Sequence, residues 1–238
     1  MWDFLDHRNA QPEWMDQSDV DPQELRRSLA FIRRVNRFIG YTRATIRHLS
    51  RLSRGWKNGQ RITLLDCATG SADIPLAILG WAARRGFDVH IIGIELHRRT
   101  AQIAAEVSGD RLTIVRADAR QLPLADGAVD YALTAMFLHH LSEDDAVTVL
   151  REMDRVSRRG IIAADLLRDK HAYGWIRLLT LFSNPMVRHD AAVSVAQAFS
   201  PPEVRVLRDR AGLGYAEYFE HFGHRFVLAG HRDGGDNR

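Results

Sequence analysis

With 238 residues, 45% of them hydrophobic, and a formal net charge of +3, the chain can build one sizeable α/β domain plus an appendage. Its single cysteine, Cys67, excludes a disulfide framework and a cysteine metal site and suits a reducing, cytoplasmic setting. No stretch reaches the ~18–20 apolar residues that span a bilayer, residues 1–9 carry acids where a signal peptide is apolar, and a basic balance made almost wholly of arginine (lysine only at Lys57 and Lys170) gives no reason to expect a nucleic-acid partner.

Residues 1–20 alternate polar and aromatic side chains, and Trp2, Phe4, Trp14 and Met15 require cover. Asp21-Pro22 supplies a cap and a first helical turn. Behind it Leu25, Leu29, Ile32, Val35 and Ile39 recur at helical spacing, while Arg26, Arg27, Arg33, Arg34 and Arg37 mostly occupy other faces. Gly40 interrupts this helix. A second, with Ile46, Leu49 and Leu52 on one side, starts near Thr42 and ends before Gly55. The arginine-rich face is expected to be solvated.

The run 62–65 is short, apolar and strand-like, and ends on Asp66. The small residues Ala68, Thr69, Gly70, Ser71 and Ala72 follow. Asp73 then leads into an apolar helix over 74–85, with Pro75 in its first turn. Strand, small-residue turn and helix form the geometry in which backbone N–H groups face a ligand, so this stretch predicts a nucleotide site. Only Gly70 is glycine among the turn positions, which excludes a dinucleotide fingerprint, and the absence of lysine excludes a P-loop.

The stretch resembles the first motif of class I S-adenosylmethionine-dependent methyltransferases, an acid followed by G-x-G-x-G. Asp66 is the acid, and Ala68, Gly70 and Ala72 stand at the three glycine positions. The next strand, 89–94, ends in Glu95, the position that accepts from ribose hydroxyls in this architecture. A helix over 97–107, a turn at Ser108-Gly109-Asp110 and a strand over 112–116 follow, then Asp118. The segment 121–141, QLPLADGAVDYALTAMFLHHL, resembles the ubiquinone and menaquinone C-methyltransferases and their small-molecule relatives. That resemblance implies that Asp118 accepts from the adenine amino group and that the Ala119 backbone bonds a ring nitrogen. It adds Ser71, Asp73 and Leu96 to the donor-binding set and places Met136 and Phe137, after strand 131–135, against the methyl donor. Such enzymes often carry an N-terminal helical layer across the substrate pocket. Arg37 and Arg43, in that layer, are candidates to pair the donor's carboxylate.

Ser142 and Asp145 form a cap signature for a helix over 143–157. Two roles are open to His139 and His140 just before it: bracing the loop, or facing the substrate and withdrawing its proton. The fifth strand, 161–167, ends near Asp165. A helix over 171–182 is apolar on most faces and offers Trp175 as a substrate contact. The segment 184–199, NPMVRHDAAVSVAQAF, is expected to be irregular. Its Arg188, His189 and Asp190 resemble an arginine–histidine–aspartate loop of methyltransferases that accompany polyketide and quinone-type biosynthesis. The resemblance implies a substrate loop, with His189 oriented by Asp190 as the first candidate base and His140 as the second. Pro201-Pro202-Glu203 opens a helix to Arg210, and 215–222 with 224–229 form a closing antiparallel pair.

The expected fold is α/β, a Rossmann-like class I methyltransferase with a seven-stranded, mostly parallel sheet and an antiparallel C-terminal strand. Residues 1–56 form a helical cover over the substrate pocket, 57–230 the S-adenosylmethionine-binding domain and 231–238 a flexible tail. S-adenosylmethionine is the expected cofactor, leaving as S-adenosylhomocysteine, with no metal. The expected acceptor is a small molecule: the hydroxyl or activated ring carbon of a phenolic, polyketide or quinol-type product. The expected assembly is a monomer or homodimer. Alternatives are an RNA or protein methyltransferase and a non-catalytic methyltransferase-like binding subunit. The first is disfavoured because Ala135-Met136-Phe137-Leu138 stands where base-amino methyltransferases carry (Asp/Asn)-Pro-Pro-aromatic, and only Glu143 is near the place of a paired-glutamate hairpin.

Overall fold

A computed structural model of the chain describes residues 5–9, 11–16 and 20–232. Trp2, Phe4, the Ile39 side chain and residues 233–238 of the expected tail lie outside the described residues. Strand β1 (Arg61–Cys67) is central, and its Ile62, Leu64, Leu65 and Cys67 are fully buried. The remaining strands are β2 (Asp88–Glu95), β3 (Thr113–Arg116), β4 (Val129–Ala135), β5 (Ser157–Leu166), β6 (Glu217–His221) and β7 (Arg225–His231). They form a seven-stranded sheet in the order β3-β2-β1-β4-β5-β7-β6. All neighbours are parallel except at β7, which runs antiparallel to both β5 and β6.

The near-continuous apolar strands have a physical reason: a parallel sheet is covered on both faces. One face, carrying Ile62, Leu64, Tyr131, Leu133, Ile162 and Val227, packs against α2 (Tyr41–Leu52) and α3 (Asp73–Ala83). The other, carrying Leu65, Cys67, Ala132, Ile161 and Ala163, packs against α5 (Glu143–Val156) and α8 (Pro201–Arg210). Helix α4 (Arg98–Ser108) lies beside β2 and β3.

Helix α1 (Pro22–Val35) starts where Asp21 Oδ1 accepts from Gln23 N and Glu24 N. A π-helical turn, Asn36–Gly40, joins it to α2, with Gly40 in the left-handed region at φ +99°. The expected N-terminal cover divides here. Helix α1, the π turn and the first turn of α2 (Tyr41 and Arg43) line the cavity described below, and the remainder of α2 packs on the sheet. At the other end, His231 belongs to β7, one residue inside the expected tail, and Arg232 donates to Ser157 O and Asp154 O.

The segment expected to be irregular is a helix. Helix α7 (Pro185–Gln197) is capped by Asn184, whose Oδ1 accepts from Val187 N at 2.8 Å, and Pro185 sits in its first turn. It touches α1, α6 (Lys170–Leu179), the N-terminal arm and the turn after β4, so its buried residues are spread around the axis without a single stripe. That is why periodicity missed it. Helix α6 is also shorter than expected, ending at Leu179.

Close backbone approach at the β6–β7 edge requires Gly230: a Cβ there would stand 2.4 Å from Tyr215 O and 2.7 Å from the Ala216 Cα. Gly230→Ala is expected to destabilise by about 1–3 kcal/mol, whereas Gly174→Ala in α6, with no atom within 4 Å of the new Cβ, is expected to be neutral or stabilising. Urea midpoints of the two variants check this.

Candidate functional site

The chain runs outward from β1 through β2 to β3 on one side and then crosses back to β4 on the other, so a crevice opens beyond the carboxyl ends of β1 and β4. A cavity of about 1530 Å³ occupies it. The turn from β1 to α3 forms one wall. Its backbone is left-handed at Ala68 (φ +57°), Gly70 (φ +54°) and Ala72 (φ +59°), the three positions matched to glycines. An alanine in that region costs about 1 kcal/mol, so the surroundings must impose the path. They do so through bonds: Thr69 N donates to Ile94 O at 2.9 Å, and Gly70 N donates to Glu95 Oε2 at 3.1 Å. Glu95 Oε1 accepts from His97 N at 3.0 Å.

Asp66, Ala68, Gly70, Ser71, Asp73, Glu95, Leu96, Asp118, Ala119, Met136 and Phe137 all line this cavity. The residues fit a nucleoside with a cationic amino-acid tail. A Cβ on Gly70 would meet no protein atom and would stand in cavity space. Asn36, buried in the wall, donates from Nδ2 to Asp73 Oδ2 at 3.0 Å and leaves its Oδ1 without a partner. Asp118 is held by Arg120, with Nη2 to Oδ2 at 2.7 Å. Met136 takes a positive φ of 57° at the end of β4, and its N–H donates to Ala164 O. Arg43 lines the cavity, and Arg37 is not among the lining residues.

The histidines separate. His139 is 2% exposed; its N–H donates to Asp165 Oδ2 at 3.0 Å, and its Nδ1 lies 2.8 Å from Asp165 Oδ1. Its Nε2 lies 3.6 Å from Glu13 Oε1, and His140 Nε2 lies 4.0 Å from the same oxygen. Burial works against the charge of His139, but Asp165 and Glu13 outweigh it and raise the imidazole to about 10. Burial alone would raise Asp165 as well; the His139 cation and hydrogen bonds from the His139 ring, the Leu166 N–H and the His139 N–H hold it below the usual carboxylate range. His139, His140, Trp175 and Asp190 line the cavity, and Arg188 and His189 are not among the lining residues. His189 stacks on Trp14 with ring centroids 4.0 Å apart and places Nδ1 2.9 Å from Asp190 Oδ1.

Sequence reasoning missed the N-terminal arm. Asp190 accepts from Trp14 N at 2.8 Å and Met15 N at 3.1 Å, so it anchors that arm as well as His189. Glu13 accepts from the Ser194 hydroxyl. Arg8 donates to Gln197 O, His139 O and Leu141 O and lies 3.7 Å over the Phe199 ring. Residue 13 is 126 positions from His139, and no local pattern couples them. At the mouth, Phe38, Trp175, Leu179 and Phe222 are exposed apolar side chains that line the same cavity.

Burial, with Asp73 and Glu95 nearby, pushes the Asp66 carboxyl up to about 8. The folded chain then keeps a proton that the unfolded chain releases above about 4, so this group makes stability fall as pH rises from about 4 to about 8. Asp66→Asn removes the effect. Its urea stability is expected to exceed that of the parent by at least ~1 kcal/mol at pH 8.5 relative to the difference at pH 5. An unchanged difference between the two pH values counts against a protonated Asp66.

Residues 65–164 match a family described as a methyltransferase domain. Among solved structures, the chain is similar to a SAM dependent methyltransferase from Aquifex aeolicus, at 17% identity over 90% of this chain and 99% of that one, with a TM-score of 0.58. It is also similar to the plantazolicin methyltransferase BpumL in complex with SAH, at 12% identity, 90% and 91% coverage and a TM-score of 0.66. A third similar structure is the plantazolicin methyltransferase BamL in complex with a triazolic desmethylPZN analog and SAH, at 13% identity, 81% and 70% coverage and a TM-score of 0.59. At these identities the structural likeness is one of fold. Family match and fold agree: residues 65–164 match a methyltransferase domain, and the chain has the fold of the S-adenosylmethionine-dependent methyltransferases it is similar to.

Proposed function

We propose that the protein transfers the methyl group to an oxygen or activated ring carbon of a small, largely apolar aromatic acceptor of the phenolic, polyketide or quinol type. The observation that carries this reading is one continuous cavity, whose about 1530 Å³ exceeds the ~300–1,000 Å³ of a one-ligand pocket and joins an acidic end to an apolar mouth. Similarity in fold to two plantazolicin methyltransferases supports a small-molecule acceptor.

When bound, S-adenosylmethionine supplies an electrophilic methyl on a sulfonium sulfur. Glu95, whose carboxylate is oriented by Gly70 N and His97 N, accepts from the ribose hydroxyls. Asp118 and the Ala119 backbone take the adenine edge. Asn36 Oδ1 and Asp73 receive the ammonium of the amino-acid tail, and Met136 and Phe137 shape the wall beside the reacting carbon. Trp175, Leu179, Phe38 and Phe222 hold the acceptor's apolar body and exclude water. The acceptor's acidic hydrogen faces the group formed by Glu13, His139 and His140. In-line positioning contributes roughly 7–11 kcal/mol, more than the 10²–10⁴-fold of one general base, so much of the rate rests on the cavity's shape. His189 and Asp190 act through the arm, by holding Trp14 and Met15 in place.

The test is calorimetric titration with S-adenosylhomocysteine, followed by methyl-transfer assays on phenols and quinols beside RNA and peptide substrates. Glu95→Gln is expected to weaken binding about tenfold or more, and Asp118→Ala to weaken it less, because its carboxylate is partly exposed. Turnover of an aromatic acceptor is expected to survive His189→Ala within about tenfold. A folded parent that does not bind S-adenosylhomocysteine, or that methylates only RNA or peptide, overturns the reading.

A further inference from the structure

We propose that Glu13, His139 and His140 form a binding site for one divalent first-row transition-metal ion, with zinc as the reference case, in the wall of the acceptor cavity. One donor atom from each residue lies within 4.8 Å of the other two, and the Glu13 oxygen is 3.6 Å from one imidazole Nε2 and 4.0 Å from the other. Ligands bonded at about 2.0–2.2 Å to one ion stand roughly 3–4 Å apart, so the group closes on an ion with shifts below about 1 Å.

The surroundings are those of a ligand set. Asp165 bonds His139 Nδ1 and the His139 backbone N–H, which fixes the ring and turns Nε2 toward Glu13. A carboxylate behind a metal-bound imidazole is the usual means of orienting it. Glu13 is held by the Ser194 hydroxyl, and the next two residues are tied to Asp190. The two imidazole rings lie 4.2 Å apart at 35°, so both edges reach the same space. All three side chains line the cavity, so an ion keeps open positions toward the acceptor. Two imidazoles and one carboxylate select zinc, iron, cobalt or nickel over the oxygen-seeking magnesium and calcium.

The ion's use rests on the acceptor reading above. An acceptor hydroxyl oxygen ligated there ionises more readily: the O–H bond breaks, the electron pair stays on the oxygen under the cation's charge, and the proton leaves to solvent. Binding itself does not rest on that reading and is measured without acceptor.

The experiment uses the full chain stripped with a chelator and then dialysed free of it. Zn²⁺ is titrated by calorimetry and Co²⁺ by visible absorption, into the parent, Glu13→Gln and His140→Asn, with S-adenosylhomocysteine binding as the check that each is folded. The expected result is one ion per chain, bound at micromolar concentration or tighter, with each substitution weakening it at least about tenfold. If Glu13→Gln loosens the arm and fails the folding check, His140→Asn decides. The proposal is overturned if the folded parent takes up neither ion below about 100 μM, or if folded variants keep the parent's affinity. Ion uptake without any methylated acceptor sinks the acceptor reading and leaves the metal site standing. Methyl transfer by a chain that takes up no ion does the reverse.

Discussion

The bond from Gly70 N–H to the Glu95 carboxylate, 3.1 Å long, ties the end of β1 to the end of β2, and the geometry of the acidic half of the cavity depends on it. The tie holds the turn in a path that is left-handed at Ala68, Gly70 and Ala72. Two of these residues are alanines, so local preference opposes the turn and the sheet must enforce it. The same compression brings Asp66, Asp73 and Glu95 together, and burial with like charge nearby keeps Asp66 largely protonated near neutral pH. A site with concentrated carboxylates suits a cationic donor, whose charge offsets their repulsion.

The second organising feature is the docking of the N-terminal arm on α7. Arg8 satisfies three carbonyl groups from the turn after β4 and the end of α7, and Asp190 binds two successive N–H groups of the arm. Burying a carboxylate such as Glu13 without compensation costs several kcal/mol. The Ser194 hydroxyl and the two imidazoles supply that compensation. The arm therefore completes a polar patch in an otherwise apolar wall. Exposed Trp175 and Phe222 line the same cavity. One cavity thus joins an acidic end, a polar patch and an apolar mouth.

Much of this was determined by the sequence alone. The strand, small-residue turn and helix at 62–76, and the acids at Glu95 and Asp118, are local signals: strand ends, caps and turn residues act over a few positions, so their geometry follows from short-range backbone preference. The sheet elements, the Ser142 cap and the Asp21-Pro22 helix start were legible for the same reason. Helix α7 was not, although Asn184-Pro185 carries the same kind of start signal. Its neighbours on several sides erase the apolar stripe on which periodicity depends.

Tertiary structure alone decided the rest. Sequence motifs put His189 beside Asp190 and suggested a base; folding turned His189 onto Trp14 and left His139, His140 and Glu13 as the polar group on the cavity wall. It also showed that α2 touches the cavity with its first turn and packs its remainder on the sheet, and that Asn36 bonds Asp73 in the cavity wall. These pairings join residues tens to more than a hundred positions apart. Their energy comes from excluding water around buried charge, a property of the packed chain that no short window of residues contains.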